Sequence, residues 1–442
     1  MTTELLSVDA APALDDVVGA ANGLRPVELD ALVARGREVH DDLLLARARG
    51  QVGFADLYML GREAMRARES AEALASRFEN VAVLAQGAEA DVVEALLGAL
   101  AHPFHNLLPR AGRAGRPRVF VVDAIEPERL GAFLESFAVE QTLLLSVSRS
   151  GGDLGPLVQF GIVRDMLKKR IGQGFQDHLV LVTDVRGGVL REEALREGLL
   201  SFAVPSNVPA RFSALTPIGL LPAALAGVDV RGVLAGAHAA AERTAGEDLR
   251  ANPAYLLAST LHLLATLRGR RQVQFVACHE ALAASAAQIA RLFEECMGRR
   301  GDAGDAPALA CTAVTLARDG ARLAQRCLSG AGDTAVVLLE TGATARDRVV
   351  PAGAPGLDHL AGRQLSSVAA AAVGALRDVL REAGVPVVAV RIPGVTPNAV
   401  GALHMAAMLG GAFGAGLARV DAYGLAGAAR YDARVRRSLE AT

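Results

Sequence analysis

The sequence predicts an α/β protein of two domains, each built on a mostly parallel sheet with helices on both faces. Three observations lead there. Short apolar runs such as Val81–Gln86 and Thr142–Val147 are continuous and not alternating, as strands are when both sheet faces are covered. Those runs alternate with longer amphipathic stretches, the order that builds parallel sheets through right-handed crossovers. The chain has 442 residues, 51% of them hydrophobic, enough for two or three cores at the usual domain size of roughly 100–200 residues.

Residues 1–25 read as a polar, irregular and mobile start. Helices are expected near Val27–Ala48 and Phe54–Phe78. Strands follow at Val81–Gln86, Arg118–Asp123, Thr142–Val147, Leu179–Thr183 and Ser201–Val204, with helices at Ala90–Leu100, Glu126–Ser136, Asp153–Ile171 and Gly188–Glu197 between them. A helix over Pro222–Thr244 leads to a second set: helix Pro253–Leu267, strand Gln272–Ala277, helix Ala281–Met297, and strands Ala335–Glu340 and Val385–Arg391. Gly342–Gly356, rich in Gly, Pro and charge, reads as a surface loop. Helices Leu357–Ala383, Pro397–Gly416 and Gly427–Leu439 complete the chain. The resulting division is 26–245, 246–395 and a helical arm 396–442.

Composition narrows the function classes. The formal net charge is −2, from 46 basic and 48 acidic residues, which argues against a nucleic-acid binder. The basic run Arg110–Arg118 reads as a solvated loop. Four cysteines without a CxxC pair point away from a disulfide scaffold or a metal centre and toward a reducing compartment. No basic, apolar leader opens the chain and no run approaches the ~18–20 apolar residues of a membrane span. The expectation is a cytoplasmic protein without cofactor, metal, nucleic acid or membrane.

Two strand–loop–helix junctions have the form of a ligand site, because free N–H groups and the positive dipole end of a helix face the carboxyl edge of a parallel sheet. One is VAVLAQGAEAD, Val81–Asp91. The other is LLLSVSRSGGDLG, Leu143–Gly155. Its Ser148, Ser150 and backbone amides suit an anion cradle, and equally a plain helix cap.

A third stretch, VPSNVPARFSALTPIGLLPAALAGVDVRGVLAGA over Val204–Ala237, resembles the glucose-6-phosphate isomerase family, in which Asn-Val-Gly-Gly-Arg-Phe/Tyr-Ser precedes a similar Gly-Leu-Leu-Pro-Ala run. Further matches fall in order: SVSRSGGD with the Ser-Lys-Ser/Thr-Gly-Thr-Thr phosphate loop, LFEECMGR (Leu292–Arg299) with the Glu-Ser-x-Gly-Lys helix end, and IPGVTPNAVGAL (Ile392–Leu403) with the C-terminal portion. The resemblance implies two three-layer, sugar-isomerase-like sandwiches, a sugar or sugar phosphate as ligand, a homodimer, and aldose–ketose isomerisation in glycolysis and gluconeogenesis. It places Glu295 as the proton-shuttling carboxylate and Arg211 as the arginine beside the reacting carbons. Gly87, Ser148, Arg149, Ser150 and Gly151 become substrate-binding residues.

It also exposes losses. The family's Gly-Ile-Gly-Gly-Ser reads here as Ala85, Gln86, Gly87, Ala88 and Glu89. Asp153 replaces the last Thr of the phosphate loop. The ring-opening His belongs in ARDGARLAQRCL, Ala317–Leu328, where Ala321 stands, and LAGAARYD, Leu425–Asp432, lacks the expected lysine. Of the chain's other histidines, His279 and His404 are the first candidates for a substitute. Glu89 and Asp153 are expected in the first turns of helices that face the ligand. There a carboxylate satisfies the dipole from within and repels a dianion. Two unit charges roughly 4 Å apart interact by about 4 kcal/mol at an effective dielectric of ~20, about a thousandfold in affinity. The resulting expectation is a divergent isomerase homologue with a degraded site. The alternatives are an isomerase of a related, non-phosphorylated or amine-bearing sugar, an ordinary glucose-6-phosphate isomerase, and a regulatory module.

Overall fold

A computed structural model describes residues 4–299, 308–344, 346–353, 355–424 and 426–440. Expectations for residues 1–3, 345, 354 and 425 lie outside them. The chain divides into two compact units, residues 43–235 with 423–442, and residues 1–42 with 236–422. Each is an α/β sandwich around a five-stranded sheet.

The chain begins with β1 (Ser7–Asp9), then α1 (Asp15–Val18), α2 (Pro26–Ala31) and α3 (Val33–Ala48). This corrects the reading of an irregular start. β1 pairs antiparallel with a strand near the far end of the chain, Ser7 opposite Arg391. Three residues are too few to show a strand pattern in sequence, because their order comes from a distant partner.

The unit over 43–235 runs α4 (Leu57–Arg77), β2 (Asn80–Leu84), α5 (Ala88–Leu100), β3 (Arg118–Val122), α6 (Pro127–Ser136), β4 (Thr142–Ser148), α7 (Leu154–Arg170), β5 (Leu179–Asp184), α8 (Val189–Glu197), β6 (Leu200–Val204) and α9 (Pro217–Leu225). Its strands are parallel in the order β3-β2-β4-β5-β6. β2, β4 and β5 are buried along their whole length, which explains their continuous apolar runs. The basic run Arg110–Arg118 is not a solvated loop. Arg110, Arg113 and Arg118 all bind the Glu79 carboxylate, at 2.8, 2.6 and 2.8 Å, and Arg113 is only 3% exposed. One shared acceptor turns three like charges into a staple.

α10 (Val230–Arg243) is separate from α9, where the sequence predicts one helix over Pro222–Thr244. Gly227 takes a left-handed φ of +89°, and the Asp229 carboxylate accepts the N–H groups of Arg231 and Gly232 to start the second helix. Then follow α11 (Pro253–Arg268), β7 (Gln272–Ala277), α12 (Ala283–Met297), β8 (Ala310–Thr315), α13 (Leu316–Ser329), β9 (Thr334–Ala343), α14 (Leu365–Glu382), β10 (Val387–Gly394), α15 (Pro397–Ala418) and α16 (Ala426–Glu440). This sheet has the order β1-β10-β9-β7-β8, parallel apart from β1. β8, an edge strand of small residues (ACTAVT), is an addition to the strands the sequence predicts. α14 starts later than the expected Leu357, after a turn at Gly362 with φ +80°.

The domain limits also differ from 26–245, 246–395 and 396–442. The first helices and α15 belong with the second sheet, and α16 with the first. α15 corrects one further expectation. It is long and apolar enough to cross a membrane, yet 89% of its most apolar window is buried inside the protein.

Close packing rests on glycine in places. A Cβ on Gly236 of α10 would lie 1.8 Å from the Asn398 carbonyl oxygen. Backbone cannot swing aside, so overpacking of roughly 1–3 kcal/mol outweighs the gain of up to ~1 kcal/mol in helix propensity. Gly236→Ala therefore lowers the urea midpoint, whereas Gly374→Ala on α14, with open space around it, raises it slightly. Equal shifts of one sign contradict this.

Candidate functional site

In the first sheet the winding direction reverses between β2 and β4, so the loops after these strands diverge to opposite faces and leave a crevice at their carboxyl ends. The residues of interest meet there. Gly87 turns the chain into α5 with φ +55°, and Gly151 turns the β4–α7 loop with φ +66°. A Cβ at Gly151 would come 2.6 Å from Thr183 Oγ1 of β5. Gln86 lies directly against α7, since a Cβ on Gly155 would meet its Oε1 at 1.6 Å.

The loop is satisfied from within. Ser148 Oγ donates to Asp153 Oδ2 at 2.6 Å, and Ser150 Oγ donates to the same oxygen at 2.8 Å. The Gly151 and Gly152 amides donate back to Ser148 Oγ and Ser150 Oγ, each at 3.0 Å. Asp153 is the N-cap residue of α7 but makes no side-chain bond to the helix amides. Its carboxylate reaches into the loop and collects both hydroxyls. Glu89, in the first turn of α5 and 8% exposed, accepts the Arg149 amide at 3.1 Å. Burial pushes its carboxyl up to about 7, with Asp153 adding to the rise and the Arg149 amide and Arg211 opposing it.

The nearby arginines are engaged. Arg149 Nε donates to the Val208 carbonyl at 2.8 Å, and its Nη2 to the Ser206 carbonyl. Arg211, 8% exposed, pairs with the buried carboxylate of Asp91 on α5. Thus Gly87, Glu89, Ser148, Arg149, Ser150, Gly151, Asp153 and Arg211 all belong to one unit.

Glu295 and Ala321 lie in the other unit. Glu295 is half-buried in the last turn of α12, and its carbonyl accepts Arg299 Nε at 3.1 Å. Ala321 is exposed on α13, a helix without histidine. His279 caps the turn before α12, its Nδ1 accepting the Ala281 amide at 3.2 Å. His404 of α15 is fully buried beside Ser285 Oγ at 3.3 Å, and burial lowers it to about 4. Both read as structural. Among the described residues, no group of three or more His, Cys, Asp and Glu is placed to hold a metal.

Sequence reasoning misses three participants. Asp91 stands there only as the end of a motif, Thr183 only as a strand residue, and Arg436 of α16 not at all. Arg436 Nη2 donates to the Gly152 carbonyl. A register of apolar runs carries no signal for a contact made 284 residues away.

Glu89 gives a pH-dependent stability. Its folded pKa of about 7 lies above the ordinary 4.5, so between these values the folded chain holds a proton that the unfolded chain releases. Stability therefore falls as pH rises through this window, and the full cost, roughly 3 kcal/mol at most, is present above it. Glu89→Gln raises the melting temperature at pH 8, and the gain fades toward pH 4.5. A gain that does not vary with pH contradicts the assignment.

No family model matches the chain. A curated glucose-6-phosphate isomerase from Carboxydothermus hydrogenoformans is 34% identical over 368 residues, covering 81% of this chain and 78% of the relative. A hypothetical protein from Thermus thermophilus superposes with a TM-score of 0.88 at 28% identity, covering 98% of this chain and 99% of that one. A glucose-6-phosphate isomerase structure from Chlamydia trachomatis shares the fold, with a TM-score of 0.72 at 18% identity over 86% of this chain and 73% of that one. With relatives of this identity and extent, the chain belongs to the glucose-6-phosphate isomerase family.

Proposed function

We propose that this chain is a divergent glucose-6-phosphate isomerase homologue whose phosphate cradle is filled by its own Asp153. It binds carbohydrate phosphates weakly, is slow or inactive in aldose–ketose exchange, and acts by binding or association. The observation that carries the reading is the convergence of the Ser148 and Ser150 hydroxyls on one Asp153 oxygen. A phosphate entering the loop has to displace that carboxylate while meeting its charge at close range. Arg149, the loop's own cation, has its Nε and Nη2 on the carbonyls of Val208 and Ser206, so its charge offsets part of the repulsion but those donors do not reach the phosphate. A homodimer and a cytoplasmic setting accompany the reading on the strength of the family relation.

A second reading is an active isomerase interconverting glucose 6-phosphate and fructose 6-phosphate, or a related sugar. The relationship to curated isomerases over most of the chain favours it. In that reading Glu295 moves the proton between C1 and C2, and Arg211 stabilises the enediolate as negative charge develops. Arg211 suits the task because a guanidinium stays charged at any working pH. Its pairing with Asp91 neutralises part of the charge the task needs.

Titration and a coupled assay separate the two. Glucose 6-phosphate shows no saturation below ~1 mM with the wild-type chain, and turnover is absent or slow. Asp153→Thr, which keeps an N-capping residue and removes the charge, tightens binding at least about tenfold. Micromolar binding or ordinary turnover by the unmodified chain favours the second reading instead.

A further inference from the structure

The loop between β4 and α7 faces two carboxylates, Glu89 and Asp153, and the two arginines beside it, Arg149 and Arg211, are turned to other partners. A further cation reaches the loop. Arg436, from the last helix of the chain, donates to the carbonyl of Gly152, next to the two glycine amides and Asp153. Its residue is otherwise exposed, which leaves most of the guanidinium in solvent beside the loop. A guanidinium presents five donors in one plane and bonds two oxygens of an anion at once.

The helix that carries it is unusual. α16 buries none of its described side chains, although it belongs to the same compact unit as the loop. An element that buries no apolar side chain contributes little to the core, so its place over the loop is not explained by packing. A second, independent feature lies against the loop, on β5. Thr183 is 0% exposed, its Oγ1 has no hydrogen-bond partner, and it lies against Gly151. A buried hydroxyl without a partner is costly unless something polar comes to it.

We propose that Arg436 is the specificity-determining cation of the cradle, carried by α16 as a strap across Gly152, and that it receives the anionic head of a sugar ligand. The ligand class is a sugar bearing a phosphate monoester or a carboxylate. This rests on the reading of the cradle given above, because Asp153 and such an anion compete for the same loop. With Asp153 in place, Arg436 only partly offsets the repulsion. With the carboxylate removed, the charge of Arg436 adds to that of Arg149 in attracting the anion.

The test uses the full chain and glucose 6-phosphate as the probe, titrated at two salt concentrations into wild type, Asp153→Thr, Arg436→Gln and the double variant. Melting temperature serves as the check on folding, and Arg436→Gln lowers it only slightly, because α16 has no fully buried side chain among the described residues. The expected result is that Arg436→Gln weakens binding by roughly ten- to hundredfold in the Asp153→Thr background and flattens its salt dependence. A purely structural latch would leave the salt dependence as it was. If Arg436→Gln binds as tightly as its parent in both backgrounds, the proposal is overturned. If Asp153→Thr fails to tighten binding, the reading of the cradle fails, while Arg436 is still judged by its loss in the wild-type background.

Discussion

Ser148 and Ser150 stand at the carboxyl end of β4 because the sheet order places β4 at the point where winding reverses. The loop after it is turned by Gly151, whose left-handed backbone lets the two hydroxyls face the same side. Asp153 then closes the loop by accepting from both. Much of the crevice follows from this. The glycine amides return to the serine oxygens, the Arg149 amide goes to Glu89 on the adjacent helix, and the Arg149 side chain ties down the carbonyls of Ser206 and Val208. A loop of this shape normally leaves its donors for an anion. Here a carboxylate from the same loop takes that place.

The strands of the first sheet are legible because burial on both faces forces unbroken apolar runs, as in Leu143–Val147 and Leu179–Val182. The starts of α11 and α15 fall at Pro253 and Pro397 as expected, and the structure shows Asn252 and Thr396 capping them. What escapes depends on partners far away in the chain. β1 exists because β10 lies beside it, and β8 because β7 does. The staple at Glu79 converts a basic, Gly-rich segment that reads as solvated into a part-buried one. A sequence carries charge but not the acceptor that gathers it.

The candidate site is half legible. The identities of Glu89 and Asp153, and their place at helix starts, follow from the junctions themselves. The bonds they make do not. The junction alone predicts that Asp153 binds helix amides, and it collects serine hydroxyls instead. Arg149 reads as a source of charge for the pocket, and its fork points to carbonyls. The relationship to glucose-6-phosphate isomerases spans most of the chain, and in this chain Asp153 accepts from both serines of the β4–α7 loop.

The central claim is that Asp153 occupies the position a ligand's phosphate would take. A crystal structure of the chain grown with glucose 6-phosphate tests it most directly. The account predicts that Asp153 remains bonded to Ser148 and Ser150 and that no phosphate is seated in the loop. A phosphate held by both serine hydroxyls, with the Asp153 carboxylate swung out to solvent, would contradict it.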